Sequence, residues 1–233
     1  MDYDKDFENL AEYLGSTVND TLKFPETKGL AYLKNLLLCT LVNVEAAILV
    51  HKNGFQYLDY DQHAWEEYVA HIRRSFLIDI WSTAESYCRE IIVAEELKIE
   101  GQHEKTKKIL DEAIEKSNQE EVKTLIRKAK RKLGGNFIEF PRIQKEIFYL
   151  AEISTPERNK WDDFLNCVRN MRNAAHNNFI IQKDAAYKTE WFEFNFKKGE
   201  SIRVSCSEIK SIIDGFIEFY LLIAAKHKTN LEA

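Results

Sequence analysis

Apolar residues recur at helical spacing through most of the chain. This spacing predicts helices over residues 5–15, 27–52 and 61–99, and it places their ends at Gly15, Asn53-Gly54 and Gly101. The third helix is the longest, and its sequence contains neither Gly nor Pro. Its apolar stripe comprises Trp65, Val69, Ile72, Phe76, Ile80, Tyr87 and Ile91.

The segment 103–133 keeps the helical spacing but becomes highly charged and poor in aromatic residues. We expect a helical hairpin here, closed by Gly134-Gly135. Residues 122–133 hold six basic side chains and no acidic one: Lys123, Arg127, Lys128, Lys130, Arg131 and Lys132. Two interpretations stay open for this stretch: a solvated helix face balanced by the acidic residues before it, or a surface that follows phosphates.

The last third of the chain changes period. A short helix is predicted over 141–152, and Thr155-Pro156 predicts the start of a longer one that ends near Asn177. Alternation from Trp191 to Phe196, a turn at 197–200 and a return over 202–204 then predict a β-hairpin within 190–204. Ser205 and Glu208 have capping-box spacing for the final helix, so the pattern predicts a mostly α helical bundle.

Composition and charge exclude several classes of protein. Only 3 Pro and 8 Gly argue against a many-turned β sandwich, and a net charge of −5 argues against a protein that coats duplex nucleic acid. The apolar run 36–44 is too short to span a bilayer, and the acidic start lacks a signal-peptide core, so we expect a cytoplasmic protein without a membrane segment. Neither a disulfide framework nor a zinc site is indicated by the four dispersed cysteines, which are Cys39, Cys88, Cys167 and Cys206.

The helix predicted from Thr155 carries the residues with most chemical potential. Arg169, Arg172 and His176 are spaced by three, four and seven residues, so they share one stripe of the helix. That stripe lies beside the predicted buried one, formed by Trp161, Phe164, Val168, Met171 and Ala175. Two guanidinium groups and an imidazole would therefore line the edge of an apolar groove. The other interpretation of the same spacing is a solvated surface pair, Arg172 with His176.

This stripe resembles the motif of the HEPN superfamily, in which an Arg and a polar residue precede a His by a few positions. Arg169-Asn170 and His176 match that motif with six residues between Arg and His. Arg172 is too close to His176 for the motif and is similar to an accessory Arg. Trp81 and Glu85, on the third helix, resemble an aromatic residue and a Glu on a core helix of the family.

The resemblance covers roughly residues 60–100 and 155–225. It implies that 1–233 form a single HEPN-like helical domain, into which the hairpin at 103–133 and the β-hairpin at 190–204 are inserted. It also implies a metal-independent endoribonuclease or RNA-binding protein of a toxin or phage-defence type, acting as a homodimer. The alternative is a catalytically inactive HEPN-fold adaptor or a nucleotide-binding module. RNA and an antitoxin or regulatory protein are the expected partners, and no metal or cofactor is expected.

The resemblance assigns catalytic roles to Arg169, Asn170 and His176, and substrate contacts to Arg172, Asn173 and Glu85. The residue types suit RNA cleavage by the ribose 2′-OH, because an imidazole can move a proton near neutral pH and a guanidinium grips phosphate oxygens. Asn170 points elsewhere on the helix, which favours a positioning role. Glu85 is also at salt-bridge spacing to Arg89.

Other candidates are weaker. Aromatic residues at 191–196 could stack bases, although a core role is the more common one for such a strand. Cys167 lies one turn before the motif, and no base is assigned to it.

Overall fold

The protein is mostly helical. Its computed structural model describes residues 3–24, 27–53, 62–95, 104–132 and 138–226, which contain eight helices and one two-stranded antiparallel sheet. The helices are α1 (Tyr3–Thr21), α2 (Lys28–Asn53), α3 (Gln62–Ala94), α4 (Glu104–Lys116), α5 (Glu120–Lys132), α6 (Phe140–Leu150), α7 (Thr155–His176) and α8 (Cys206–Lys226), and the strands are β1 (Ala185–Lys188) and β2 (Glu193–Phe196). The prediction of a mostly α fold is confirmed, and the likeness to HEPN proteins stays a prediction.

The chain divides into two compact units. The smaller is Cys88–Leu150 and contains α4, α5 and α6; the larger comprises the residues up to Tyr87 and those from Ala151 onward. Within the smaller unit α4 packs against α5, so the predicted helical hairpin is confirmed for the residues that the structure describes. Its predicted closing pair, Gly134-Gly135, lies outside those residues. The description of 1–233 as a single domain stays a prediction.

The larger unit is built around aromatic side chains. α1 packs against α2 and α8, and α7 packs against α8 and β1. Phe7 meets Trp65 edge-on at 5.6 Å between ring centroids, and Tyr87 meets Tyr220 edge-on at 5.2 Å. The largest fully buried side chains in this unit are Trp65, Tyr220, Phe7, Phe164, Phe216 and Phe219. Packing of this kind stabilises each helix through its apolar face and fixes where its polar flank lies.

The first helix is longer than predicted. α1 continues through Gly15 to Thr21, so the predicted end at Gly15 is wrong. Leu14 and Val18 flank the glycine and are both buried, and a Cβ at position 15 would lie 4.0 Å from a methyl carbon of Leu41 on α2. Burial on both sides of Gly15 outweighs the helix penalty of one glycine, which is about 1 kcal/mol.

The predicted β-hairpin has the wrong partner strand. β2 falls within the alternating segment as expected, but it pairs with the earlier strand β1, from Ala185 opposite Phe196 to Lys188 opposite Glu193. The Thr189 hydroxyl closes the connecting loop, because it accepts a hydrogen bond from the Phe192 amide at 2.9 Å. Residues 202–204 form no strand; Ile202 donates its amide to the Phe179 carbonyl at 2.8 Å instead. The predicted turn at 197–200 is present, with Gly199 at φ +85°.

Helix α7 is seated closely on α8. Gly215 of α8 faces the Phe164 ring, and a Cβ at position 215 would overlap that ring. Phe164 also meets Phe216 edge-on, with centroids 5.2 Å apart. This close approach orients the helix that carries the motif.

Helix α2 is apolar on more than its buried face. Its length and composition would allow it to cross a membrane, with a mean hydropathy of 1.7 in its most apolar window. Among the described helices, it is the only one that meets this criterion. Core helices of soluble proteins pass the same test, so this property by itself is weak evidence. The expectations of a cytoplasmic protein and of no membrane segment stay predictions.

Candidate functional site

The motif helix α7 starts and ends almost where the sequence predicts. Its N-cap is Ser154 rather than Thr155, with φ −64° and ψ 155°, and Pro156 lies in the first turn, where a missing N–H costs nothing. The helix ends at His176. Its buried stripe comprises Trp161, Phe164, Leu165, Cys167, Val168, Met171, Ala174 and Ala175, which include all five predicted core positions.

The predicted site side chains on α7 lie beside that stripe and remain open to solvent. Arg169 and Arg172 are half-buried, and His176 is exposed. At 1.5 Å of rise per residue, the Cα atoms of Arg169 and His176 are about 10.5 Å apart along one flank of the helix. Substrate contact requires side chains that reach solvent, and neither Arg169 nor His176 is enclosed in the core.

The two arginines on this flank are held by neutral groups. Arg169 donates from Nη2 to the Asn166 Oδ1 at 2.6 Å, and Arg172 donates from Nη1 to the Asn173 Oδ1 at 3.2 Å. Within the described part of the chain, neither guanidinium forms an ion pair with a carboxylate, and the Arg172 Nε is buried without a hydrogen-bond partner. An amide fixes the direction of a guanidinium but does not neutralise it, so this flank keeps two positive charges available to an anion.

Asn170 points away from the arginines, as its helix position predicts. Its Nδ2 donates to the Tyr187 hydroxyl at 2.8 Å and so connects α7 to β1. Asn173 has local partners too, because its backbone carbonyl accepts hydrogen bonds from both the backbone N–H and the Nδ2 of Asn177. The contacts of Asn170 and Asn173 position other groups; a catalytic role for the first and a substrate contact for the second stay predictions.

The chain reverses directly after the motif. Asn178 and Phe179 both adopt the left-handed conformation, at φ +52° and +64°. A positive φ is unusual for a bulky residue such as Phe and indicates that the surrounding structure holds it. The Ile180 amide donates to the Asn177 carbonyl at 3.0 Å and closes the turn.

One residue at this end of the motif was not predicted from the sequence. Arg74 of α3 stacks its guanidinium on the Phe179 ring, with 3.7 Å between the guanidinium carbon and the ring centroid. Phe179 follows His176 by three residues. No sequence pattern links Arg74 to Phe179, because the two are far apart in the chain and only the folded structure brings them together.

Glu85 lies on α3 and is half-buried. It follows Arg74 by eleven positions, or about 16 Å along the helix. Its role as a substrate contact stays a prediction.

The buried Cys167 thiol is unsuited to nucleophilic catalysis. All four cysteines are free, and only Cys39 is exposed. Burial raises the pKa of the Cys167 thiol far above its ordinary value, and the nearby carboxylates of Glu208 and Asp163 raise it further. Because the thiolate is the reactive form, a protonated Cys167 is inert. Among the described residues, no group of three or more His, Cys, Asp or Glu side chains is placed to hold a metal ion.

The aromatic side chains at 191–196 belong to the core of the larger unit. Phe194 and Phe196 are buried, and Trp191 lies 4.8 Å from Trp161 and 4.7 Å from Phe164 between ring centroids. The Trp191 indole N–H donates to Glu218 at 3.1 Å. These contacts favour the packing interpretation over base stacking.

No protein-family model, curated protein or solved structure matches this chain. The geometry of α7 and its neighbours therefore carries the functional argument.

Proposed function

We propose that the protein binds single-stranded RNA at the Arg169–His176 flank of α7 and cleaves it as a HEPN-like, metal-independent endoribonuclease. It acts as a homodimer in a toxin or phage-defence role. The observation that carries the proposal is the pair of arginines whose guanidinium groups are fixed by asparagine amides, beside an exposed His176.

The residue types supply what this reaction needs. The ribose 2′-oxygen forms a bond to phosphorus while the bond from phosphorus to the 5′-oxygen breaks, which leaves a 2′,3′-cyclic phosphate and a 5′-hydroxyl. One proton leaves the 2′-OH and one joins the departing 5′-oxygen. His176 transfers one of these protons, and Arg169 stabilises the negative charge that grows on the phosphoryl oxygens.

Arg172 adds a second cation to the same flank. Because its Nη1 is fixed on Asn173, the guanidinium can hold a phosphate without first being ordered. Asn170 supports the geometry indirectly, since its bond to Tyr187 connects α7 to the sheet.

The test compares wild-type protein with His176→Ala on labelled single-stranded RNA in the presence of EDTA. We expect wild-type cleavage with cyclic-phosphate ends and a loss of about 100-fold or more for the variant, in line with positioned acid–base catalysis. Wild-type protein that leaves the RNA intact, or a variant that cleaves it equally well, would refute the enzymatic proposal.

The runner-up is a non-catalytic adaptor, or a nucleotide-binding module, that uses the same helix. One observation favours it: Asn170, assigned a catalytic role by the resemblance, is engaged in a bond to Tyr187. An adaptor predicts a stable dimer, no cleavage, and loss of dimerisation in Arg169→Ala. Size-exclusion chromatography with light scattering would show whether Arg169→Ala removes the dimer or only the cleavage, and nucleotide binding would raise the melting temperature of the wild type.

A further inference from the structure

Arg74 has a geometry that suits a ligand contact. Its guanidinium carbon lies over the Phe179 ring, 3.7 Å from the ring centroid, and its Nε donates to the Ala70 carbonyl of the preceding helical turn at 3.1 Å. Stacking uses the face of the guanidinium and leaves the in-plane N–H groups of its edge for hydrogen bonds. The ring thus orients the cation without consuming the donors that a phosphate would use.

The charge of Arg74 is weakly compensated. Among the described residues, the one carboxylate within 4.0 Å of its nitrogen atoms is Glu67, 3.7 Å from Nη2, and the side chain of Glu67 is 65% exposed against 17% for Arg74. Such an ion pair is long and its carboxylate is well solvated, so it contributes little to stability. A phosphate can therefore replace Glu67 as the partner of Arg74.

The strained turn after the motif fixes the Phe179 ring on which Arg74 lies. Two consecutive left-handed residues, Asn178 and Phe179, reverse the chain right after His176. The Phe179 carbonyl is fixed by the Ile202 amide at 2.8 Å. The turn therefore holds the Phe179 ring at the C-terminal end of α7, and no more than about 11 Å of backbone separates the Cα atoms of His176 and Phe179.

We propose that Arg74, oriented by the Phe179 ring, is a further substrate-binding residue that contacts a second phosphate of the RNA strand, beyond the one held at Arg169 and Arg172. This inference rests on the proposed RNA function and specifies its substrate class as a strand with several phosphates. Because Phe179 follows His176 by three residues, Arg74 brings a third cation to the end of α7 that carries the imidazole, while Arg169 and Arg172 precede it. A ligand with one phosphate, held at Arg169 and Arg172, has no second phosphate to place at Arg74.

The experiment measures RNA affinity by fluorescence anisotropy across a salt series, in a His176→Ala background that keeps the RNA intact. Arg74→Ala is compared with Arg203→Ala, a control that removes an exposed arginine from the segment after β2. For a short single-stranded RNA, we expect Arg74→Ala to raise Kd about tenfold, as loss of a charged hydrogen bond does. The slope of log affinity against log salt should fall by about 0.7, the value for one phosphate contact on a single strand. Arg203→Ala should change neither quantity.

Two further variants keep the inference falsifiable if Arg74→Ala folds poorly. Phe179→Leu keeps apolar bulk but removes the ring, and it should raise Kd less than Arg74→Ala does. Arg74→Lys keeps the charge and should retain most of the salt slope. With a dinucleotide that carries one phosphate, Arg74→Ala should bind as the unaltered background does.

The outcomes separate this inference from the proposed function. If the background protein binds RNA and Arg172→Ala weakens binding, but Arg74→Ala matches Arg203→Ala, Arg74 has only a structural role and the inference is wrong. If neither the wild-type protein nor the His176→Ala background binds RNA, the proposed function is wrong, and this inference with it. A lower unfolding free energy in Arg74→Ala with an unchanged salt slope also identifies a structural role.

Discussion

Two regions of the molecule are rich in basic residues, and they differ in burial and in the groups that bind their cations. On α7, Arg169 and Arg172 are half-buried and bonded to asparagine amides. On α5, Arg127 and Lys128 are exposed, and Arg127 lies 3.8 Å from the Glu120 carboxylate. Lys123 approaches the same carboxylate at 3.3 Å.

The two regions differ in the setting of their cations more than in the number of them. Arg127 and Lys128 are solvated, and Glu120 partly balances Lys123 and Arg127 within the helix, so salt screens these charges and each contributes little to anion binding. The α7 charges sit in a partly desolvated setting, where their orientation is already fixed before a ligand arrives. The α7 flank is therefore the stronger candidate, although it has fewer basic residues.

The largest expected effect comes from removing the arginines of each region in turn. Arg169→Ala with Arg172→Ala should reduce RNA cleavage by about 100-fold or more, because the transition-state charge loses its donors. Arg127→Ala with Lys128→Ala is the matched change on α5 and should leave cleavage and the salt slope of binding unchanged. Rates on labelled RNA and anisotropy across a salt series measure both. A flatter salt slope for the α5 pair would instead support the interpretation of α5 as a surface that follows phosphates.

The positions of the candidate site residues on α7 could be predicted from the sequence. Spacing placed Arg169, Arg172 and His176 on one flank and the buried stripe of α7 beside it, because helical geometry turns spacing into direction. The Ser205–Glu208 capping box was also predicted, and the structure confirms it with hydrogen bonds at 2.6 and 3.1 Å. Such features depend only on local chain geometry.

What the sequence could not predict depends on contacts between distant segments. Gly15 did not end α1, because burial of its neighbours outweighs a local preference. The predicted partner of β2 was wrong, because alternation identifies a strand but not the segment that pairs with it. The stack of Arg74 on Phe179 and the bonding of both α7 arginines to neutral amides have no signature in spacing either.

The close packing of α7 on α8 has a consequence for stability. Gly215→Ala would force a Cβ into the Phe164 ring beneath α7, and we expect it to lower the unfolding free energy by about 1–3 kcal/mol. On α5, Leu125 is 64% exposed, so Leu125→Ala should change stability by less than about 0.5 kcal/mol. Urea denaturation followed by circular dichroism measures both changes.

Gly15→Ala is the matched control for that prediction. It makes the same change inside a helix, but the new Cβ would meet only ordinary contact, 4.0 Å from Leu41. It should raise stability by up to about 1 kcal/mol, because alanine favours helix over glycine. Equal losses of unfolding free energy in Gly215→Ala and Gly15→Ala would show that α7 does not pack unusually closely on α8.

The smallest expected effect concerns the bond between α7 and β1. Tyr187→Phe removes the hydroxyl that accepts from the Asn170 Nδ2, at 2.8 Å, while it keeps the ring against Phe196. We expect a loss of about 1 kcal/mol of unfolding free energy, the usual value for one hydrogen bond, measured by urea denaturation. If Asn170 acts by positioning α7, Asn170→Ala should cause a similar loss of stability, and the double variant should lose little more than either alone. A large fall in RNA cleavage in Asn170→Ala but not in Tyr187→Phe would instead mean that the amide meets the substrate directly.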